Sequence, residues 1–90
     1  MREPRYSLQW FARQCEGKLQ ENDSIKPCWS EMTRAELISH LMLEVLELHH
    51  AIKVEGPQAV IRECADVANL AHMLADKARG SEASAERGRM

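Results

Sequence analysis

The sequence predicts an all-α protein. Two long helices fold back as an antiparallel hairpin, an N-terminal helix lies beside them, and the hairpins assemble into a four-helix-bundle-type oligomer. Three observations predict this. Aromatic residues are only 4% of the 90 residues, while Leu, Ala, Met and Glu are plentiful, a composition that suits helices and not sheets. Apolar residues recur at helical spacing over most of the chain. Gly56-Pro57 interrupts the longest such stretch, and so short a break joins antiparallel neighbours.

Residues 1–5 contain Pro4 and are expected to fray. Leu8, Phe11, Ala12, Cys15 and Leu19 share one face of a first helix over Tyr6–Leu19, which Gly17 weakens near its end. Residues 20–32 carry Asn22, Asp23, Ser24 and Pro27 and read as the one substantial loop. Thr33-Arg34-Ala35-Glu36 fits a capping box and opens a second helix that runs to about Val54. Gly56 serves as its stop, and Pro57 suits the first turn of a third helix running to Arg79. Residues 1–80 make one domain. Residues 81–90 lack an apolar face and read as a disordered polar tail.

Both long helices are apolar around most of their circumference. Leu41, Met42, Leu43, Val45, Leu46, Leu48 and Ile52 lie on one, and Val60, Ile61, Val67, Leu70, Met73 and Leu74 on the other. Such helices are normally buried, and ninety residues cannot cover them, so a homodimer or homotetramer is expected.

Within this apolar setting stand two acid pairs, Glu44/Glu47 and Glu63/Asp66, each spaced i, i+3. That spacing puts both side chains of a pair on one helix face, with Cβ atoms roughly 5–6 Å apart. Counted outward from the break, Glu47 matches Glu63 in height and Glu44 matches Asp66. Four acids in one seam repel each other and lose hydration, a penalty that a divalent cation removes. Carboxylate oxygens are the donors that Mg²⁺ prefers. Asn69 lies one turn beyond Asp66, suited to a metal-held water, a sugar hydroxyl or a plain interhelical hydrogen bond. Lys18, Lys26, Lys53 and Arg62 are candidates to neutralise phosphate, and Trp29 to stack on a base, with Trp10 or Phe11 as an opposite wall.

Composition narrows the partners. The net charge is −2 with no basic face, which argues against a nucleic-acid polymer. No apolar run is long enough for a bilayer, and the N-terminus lacks the layout of a signal peptide. Cys15, Cys28 and Cys64 have no framework or zinc spacing, so reduced thiols in a cytoplasmic protein are expected.

The acid pattern resembles that of the MazG-like all-α NTP pyrophosphohydrolases of small phage and bacterial type, whose signature is E-E-x-x-E, a helix break, then E-x-x-D. Here the first half reads Leu43-Glu44-Val45-Leu46-Glu47, with Leu43 where the family has a leading Glu. Glu63-Cys64-Ala65-Asp66-Val67-Ala68-Asn69 is similar to the family's E-A-A-D-V-A-N segment. Upstream, Lys18-Leu19-Gln20-Glu21-Asn22-Asp23, then Lys26 and Trp29, is similar to K-L-x-x-N-D-x-K-G-G-W, with Pro27-Cys28 in place of the glycines and a loop one residue different in length. The resemblance spans about Phe11 to Asp76. It implies hydrolysis of (d)NTP to (d)NMP and pyrophosphate in nucleotide-pool housekeeping. Glu44, Glu47, Glu63 and Asp66 would be metal ligands and catalytic groups for Mg²⁺, with Mn²⁺ as a substitute. Lys18, Asn22, Lys26, Trp29 and Asn69 would contact the substrate.

Two other readings compete. Glu47-Leu48-His49-His50 contains E-x-x-H, so Glu47, His50 and Glu63 from two chains are candidates for a di-iron bundle. A non-enzymatic helical interaction module is the third, although four like charges in an apolar seam fit it poorly.

Overall fold

The computed structural model describes residues 2–23 and 29–88. Its elements are α1 (Tyr6–Asn22), a 3-10 turn (Trp29–Glu31), α2 (Arg34–Val54) and α3 (Pro57–Gly88), and no strand occurs among the described residues. The all-α expectation and the hairpin hold. α3 is the central element. Both α1 and α2 pack against it, and among the described residues they do not pack on each other.

Local chemistry explains where the helices begin and end. The Thr33 side chain accepts the Glu36 N–H at 3.1 Å, and Glu36 Oε1 accepts the Thr33 N–H at 3.0 Å. This reciprocal capping box fixes the start of α2. Those bonds hold the Glu36 carboxyl below the ordinary glutamate range, the Thr33 backbone donor contributing most.

The end of α2 corrects the sequence reading. Gly56 is not a left-handed stop, since no described glycine has positive φ. The chain leaves α2 through Glu55 in an extended conformation (φ −118°, ψ 173°), whose N–H still reaches the Ala51 carbonyl at 2.9 Å. The Gly56 carbonyl then accepts the Val60 N–H at 3.2 Å, so Gly56 begins α3. The reason is Pro57, which drives the preceding residue out of the α region.

Two further boundaries differ. α1 passes through Gly17 and ends at Asn22, not Leu19, and Asp23 closes it with an N–H to the Gln20 carbonyl at 3.4 Å. α3 passes through Gly80 to Gly88, into the stretch assigned to a polar tail. One interior glycine costs only about 1 kcal/mol against Ala, and the strong helix formers around both glycines offset that.

The interior is small. Leu37, Ala51 and Ala65 are the buried apolar residues among those described, with Asn69 the buried polar one. Leu37, Leu41, Glu44, Leu48 and Ala51 follow 4-3-4-3 spacing along α2, and each is buried or half-buried. This is the seam against α3. A second stripe, one residue later, faces away from it: Ile38, Met42, Val45, His49 and Ile52, all exposed. Met42 is 65% exposed and Ile52 61%. α2 therefore has two apolar seams and only one is covered.

Candidate metal centre

Glu44 enters the α2–α3 seam at a position otherwise taken by Leu and Ala. α3 brings Glu63 and Asp66 to it. One carboxylate oxygen from each of Glu44, Glu63 and Asp66 lies within 4.8 Å of the others, and all three residues are half-buried. Glu44 Oε2 and Glu63 Oε2 are buried and have no hydrogen-bond donor. A buried carboxylate oxygen without a donor is costly, and only a proton or a cation removes the cost where the facing group is another carboxylate.

The titration behaviour agrees. Burial, then a hydrogen bond with Glu47 and the charge of Asp66, push the Glu44 carboxyl up to about 7. Burial, then the Asp66 charge, raise Glu63 as well. Asp66 is the member with a counter-charge, since Lys18 Nζ on α1 lies 3.5 Å from its Oδ1. The Lys18 side chain is only 16% exposed, so this pair is better shielded than an ordinary surface pair.

The all-oxygen donor set and the orphaned oxygens fit a hard divalent cation. Nitrogen and sulfur donors are not gathered there. Cys15 and Cys64 are free thiols outside the cluster, and burial raises the Cys15 thiol. Glu47 is exposed and stands outside the triad, reaching Glu44 from the solvent edge. His50 is exposed and joins no ligand cluster among the described residues. The height-matched pairs of the sequence reading thus become a triad, with Glu44 facing both Glu63 and Asp66.

The expected substrate contacts are unequally placed. Lys18 borders the triad. Asn69 is 6% exposed, and its Nδ2 donates to the Cys15 carbonyl at 3.0 Å, which ties α3 to α1. Trp29 packs its ring on His72 at 5.9 Å, and Lys77 Nζ donates to the neighbouring Ser30 carbonyl at 3.0 Å, so this turn is anchored to α3 further along than the triad. Asn22 is half-buried at the end of α1. Lys26 lies outside the described residues, as does Cys28. Trp10 and Phe11 contact each other, centroids 6.4 Å apart.

Sequence reasoning passed over the Arg62–Glu21 pair, which joins α3 to α1. Glu21 accepts from both terminal nitrogens of Arg62, at 3.3 and 3.1 Å. A 41-residue separation left no local signal for it.

Comparison with known proteins returns no matching family model, no similar curated protein and no similar solved structure.

A pH prediction follows from Glu44. Its folded-state pKa of about 7 lies above the ordinary value of 4.5, so between those values the folded state holds the extra proton. Stability is therefore greatest at the acid end and falls as pH rises through this window. The expected loss for this group, after solvent screening, is about 1–2 kcal/mol. Urea melts in EDTA at pH 5 and pH 8 measure it, and millimolar Mg²⁺ at pH 8 should restore the loss. Equal stability at both pH values, with and without Mg²⁺, contradicts this account of the seam.

Proposed function

We propose that this protein is a divalent-cation-dependent nucleoside triphosphate pyrophosphohydrolase that converts (d)NTP to (d)NMP and pyrophosphate in nucleotide-pool housekeeping. The observation that carries the reading is the Glu44–Glu63–Asp66 triad, with two buried oxygens lacking any donor. The resemblance of the flanking segments supplies the reaction class.

Glu44, Glu63 and Asp66 would hold Mg²⁺ or Mn²⁺, with Glu47 completing the set from the exposed edge. A cation held there would supply Lewis-acid polarisation of a phosphate chain. The chain's own groups have separate tasks. Glu44, whose carboxyl is pushed up to about 7 by burial and its acid neighbours, would give up its proton when it takes the cation. Lys18 neutralises charge beside Asp66 and is available to a phosphate oxygen. Asn69 holds α1 against α3 and so fixes where Lys18 sits. Asn22, Lys26 and Trp29 remain the proposed contacts to sugar, phosphate and base.

The test is product analysis on a panel of NTPs and dNTPs with Mg²⁺. Pyrophosphate with monophosphate supports the reading. Orthophosphate with diphosphate, or no turnover of any nucleotide, opposes it. The di-iron alternative draws Glu47, His50 and Glu63 from two chains, and iron analysis of the purified protein tests it.

The working unit is proposed to be a homo-oligomer, dimer or tetramer, joined through the outer stripe of α2. Its large apolar side chains, Ile38, Met42, Val45 and Ile52, are each 45% exposed or more and are covered by nothing within the described residues. The 4-3-4-3 spacing of Ile38, Met42, Val45, His49 and Ile52 suits a helix partner of the same kind. Val45→Asp at the middle of the stripe should convert the oligomer to monomer in sedimentation velocity. An unchanged sedimentation coefficient would sink this assignment. No helix among the described residues is long and apolar enough to cross a membrane.

A further inference from the structure

We propose that Lys18 is a built-in counter-cation of the acid triad, held on Asp66 until a divalent cation arrives and then passed to Glu21, so that the Lys18–Glu21 pair sets how tightly the centre binds metal. This role rests on the triad being a metal centre, and its test separates the two.

Glu44, Glu63 and Asp66 gather their carboxylates in a half-buried seam between α2 and α3. α1 sends a cation to its edge. Lys18 Nζ lies 3.5 Å from Asp66 Oδ1 and 3.6 Å from Glu21 Oε2. Charge-assisted N–H···O bonds close to about 2.7–2.9 Å. The ammonium is thus shared between two carboxylates and locked onto neither. Its charge also reaches Glu63, where it opposes the rise that burial and Asp66 impose.

The two carboxylates differ in setting. Asp66 is half-buried and belongs to the triad, whereas Glu21 is exposed. Glu21 stands three residues after Lys18 on α1, so both share one helix face. The flexible four-carbon stem of lysine can therefore carry the ammonium from Asp66 to Glu21 by rotating its own bonds. Arg62 pins the acceptor, offering both terminal nitrogens to Glu21 at 3.3 and 3.1 Å. Asn69 Nδ2 donates to the Cys15 carbonyl at 3.0 Å and keeps α1 on α3 without help from Lys18. Neither helix has to move. A doubly charged ion on Asp66 repels the ammonium and replaces it as counter-charge, while the ammonium regains water beside Glu21.

Mn²⁺ affinity at pH 8 is measured by electron paramagnetic resonance in the wild-type chain, Lys18→Met, Glu21→Gln and the double variant. Lys18→Met keeps the apolar stem and removes the charge. It should bind Mn²⁺ about tenfold tighter, the scale of one like charge removed from within several ångströms of the ion. Glu21→Gln should bind about threefold weaker, the scale of one exposed pair. In the Lys18→Met background Glu21→Gln should change nothing, because Glu21 acts through Lys18. Thermal melts give a second readout. In EDTA Lys18→Met should melt below wild type, and saturating Mn²⁺ should remove or reverse the difference. A plain packing role would lower Tm equally in both conditions. Affinity no tighter in Lys18→Met, or a Glu21→Gln loss equal in both backgrounds, overturns the role and leaves the metal centre standing. No Mn²⁺ bound by wild type or Lys18→Met removes the metal centre, and the role with it. Should Lys18→Met not fold, Lys18→Gln keeps a donor for Asp66 without the charge and is measured in its place, with the same expectations.

Discussion

Glu63→Gln is expected to lower Mg²⁺-dependent pyrophosphate release by about 100- to 1,000-fold. Glu63 contributes one of the three converging oxygens and one of the two buried oxygens with no donor. Gln keeps the shape and removes the charge that a cation needs. The same change relieves repulsion with Asp66 and Glu47, so the variant in EDTA should melt no lower than wild type. That combination separates lost chemistry from lost folding. Single-turnover rates on the best nucleotide and thermal melts on the same samples measure both. Full activity in Glu63→Gln contradicts the metal centre, whatever the substrate proves to be.

Leu37→Ala carries the largest expected effect on stability, a loss of about 2–5 kcal/mol. Leu37 is the large side chain that is completely buried, and the other fully buried apolar residues are two alanines. It sits in the first turn of α2, next to the capping box, where its N–H bonds the Thr33 carbonyl at 3.0 Å. Removing its side chain leaves a cavity at the end of the α2–α3 seam, farthest from the Gly56-Pro57 turn. A domain with so few buried residues has little else to compensate. Urea denaturation at fixed protein concentration measures the loss, and a change under 1 kcal/mol would show that oligomer contacts carry the stability.

How far the sequence could be read depended on how local the determining interaction was. The capping box at Thr33-Glu36 lies within four residues, and its hydrogen bonds appear as expected. The Gly56-Pro57 reversal was legible, but its mechanism was not. Glycine chemistry suggested a left-handed cap, whereas the steric demand of Pro57 makes Gly56 the entry to α3. α1 continues past Gly17 to Asn22 and α3 past Arg79 and Gly80, because one unfavourable residue does not outweigh a run of favourable neighbours. The acid pairs were visible through spacing, and Glu44, Glu63 and Asp66 do converge. The position of Glu47 was not legible. Glu63 and Asp66 have the same spacing and both reach the triad, whereas on α2 Glu44 takes a place in the 37-41-44-48-51 seam and Glu47 does not, a choice set by how α2 is rotated against α3. Lys18 beside Asp66 and Glu21 on Arg62 are contacts between α1 and α3, and helical periodicity cannot set the register between elements. The double seam on α2 was hidden for another reason. The notion of one buried stripe fails for a helix that is apolar nearly all round.

The measurement that tests the central claim most directly is Mn²⁺ binding followed by electron paramagnetic resonance, in which bound ion loses the signal of free aqueous Mn²⁺. Wild-type chain and Asp66→Asn are titrated at pH 8, with and without a non-hydrolysable nucleoside triphosphate. The account predicts at least one bound Mn²⁺ per chain in the wild type, displaced by Mg²⁺ and weakened at least tenfold in Asp66→Asn, about the effect of losing a charged ligand. Free Mn²⁺ signal undiminished at millimolar ion, even with nucleotide present, would contradict it and leave Glu44, Glu63 and Asp66 as a structural cluster.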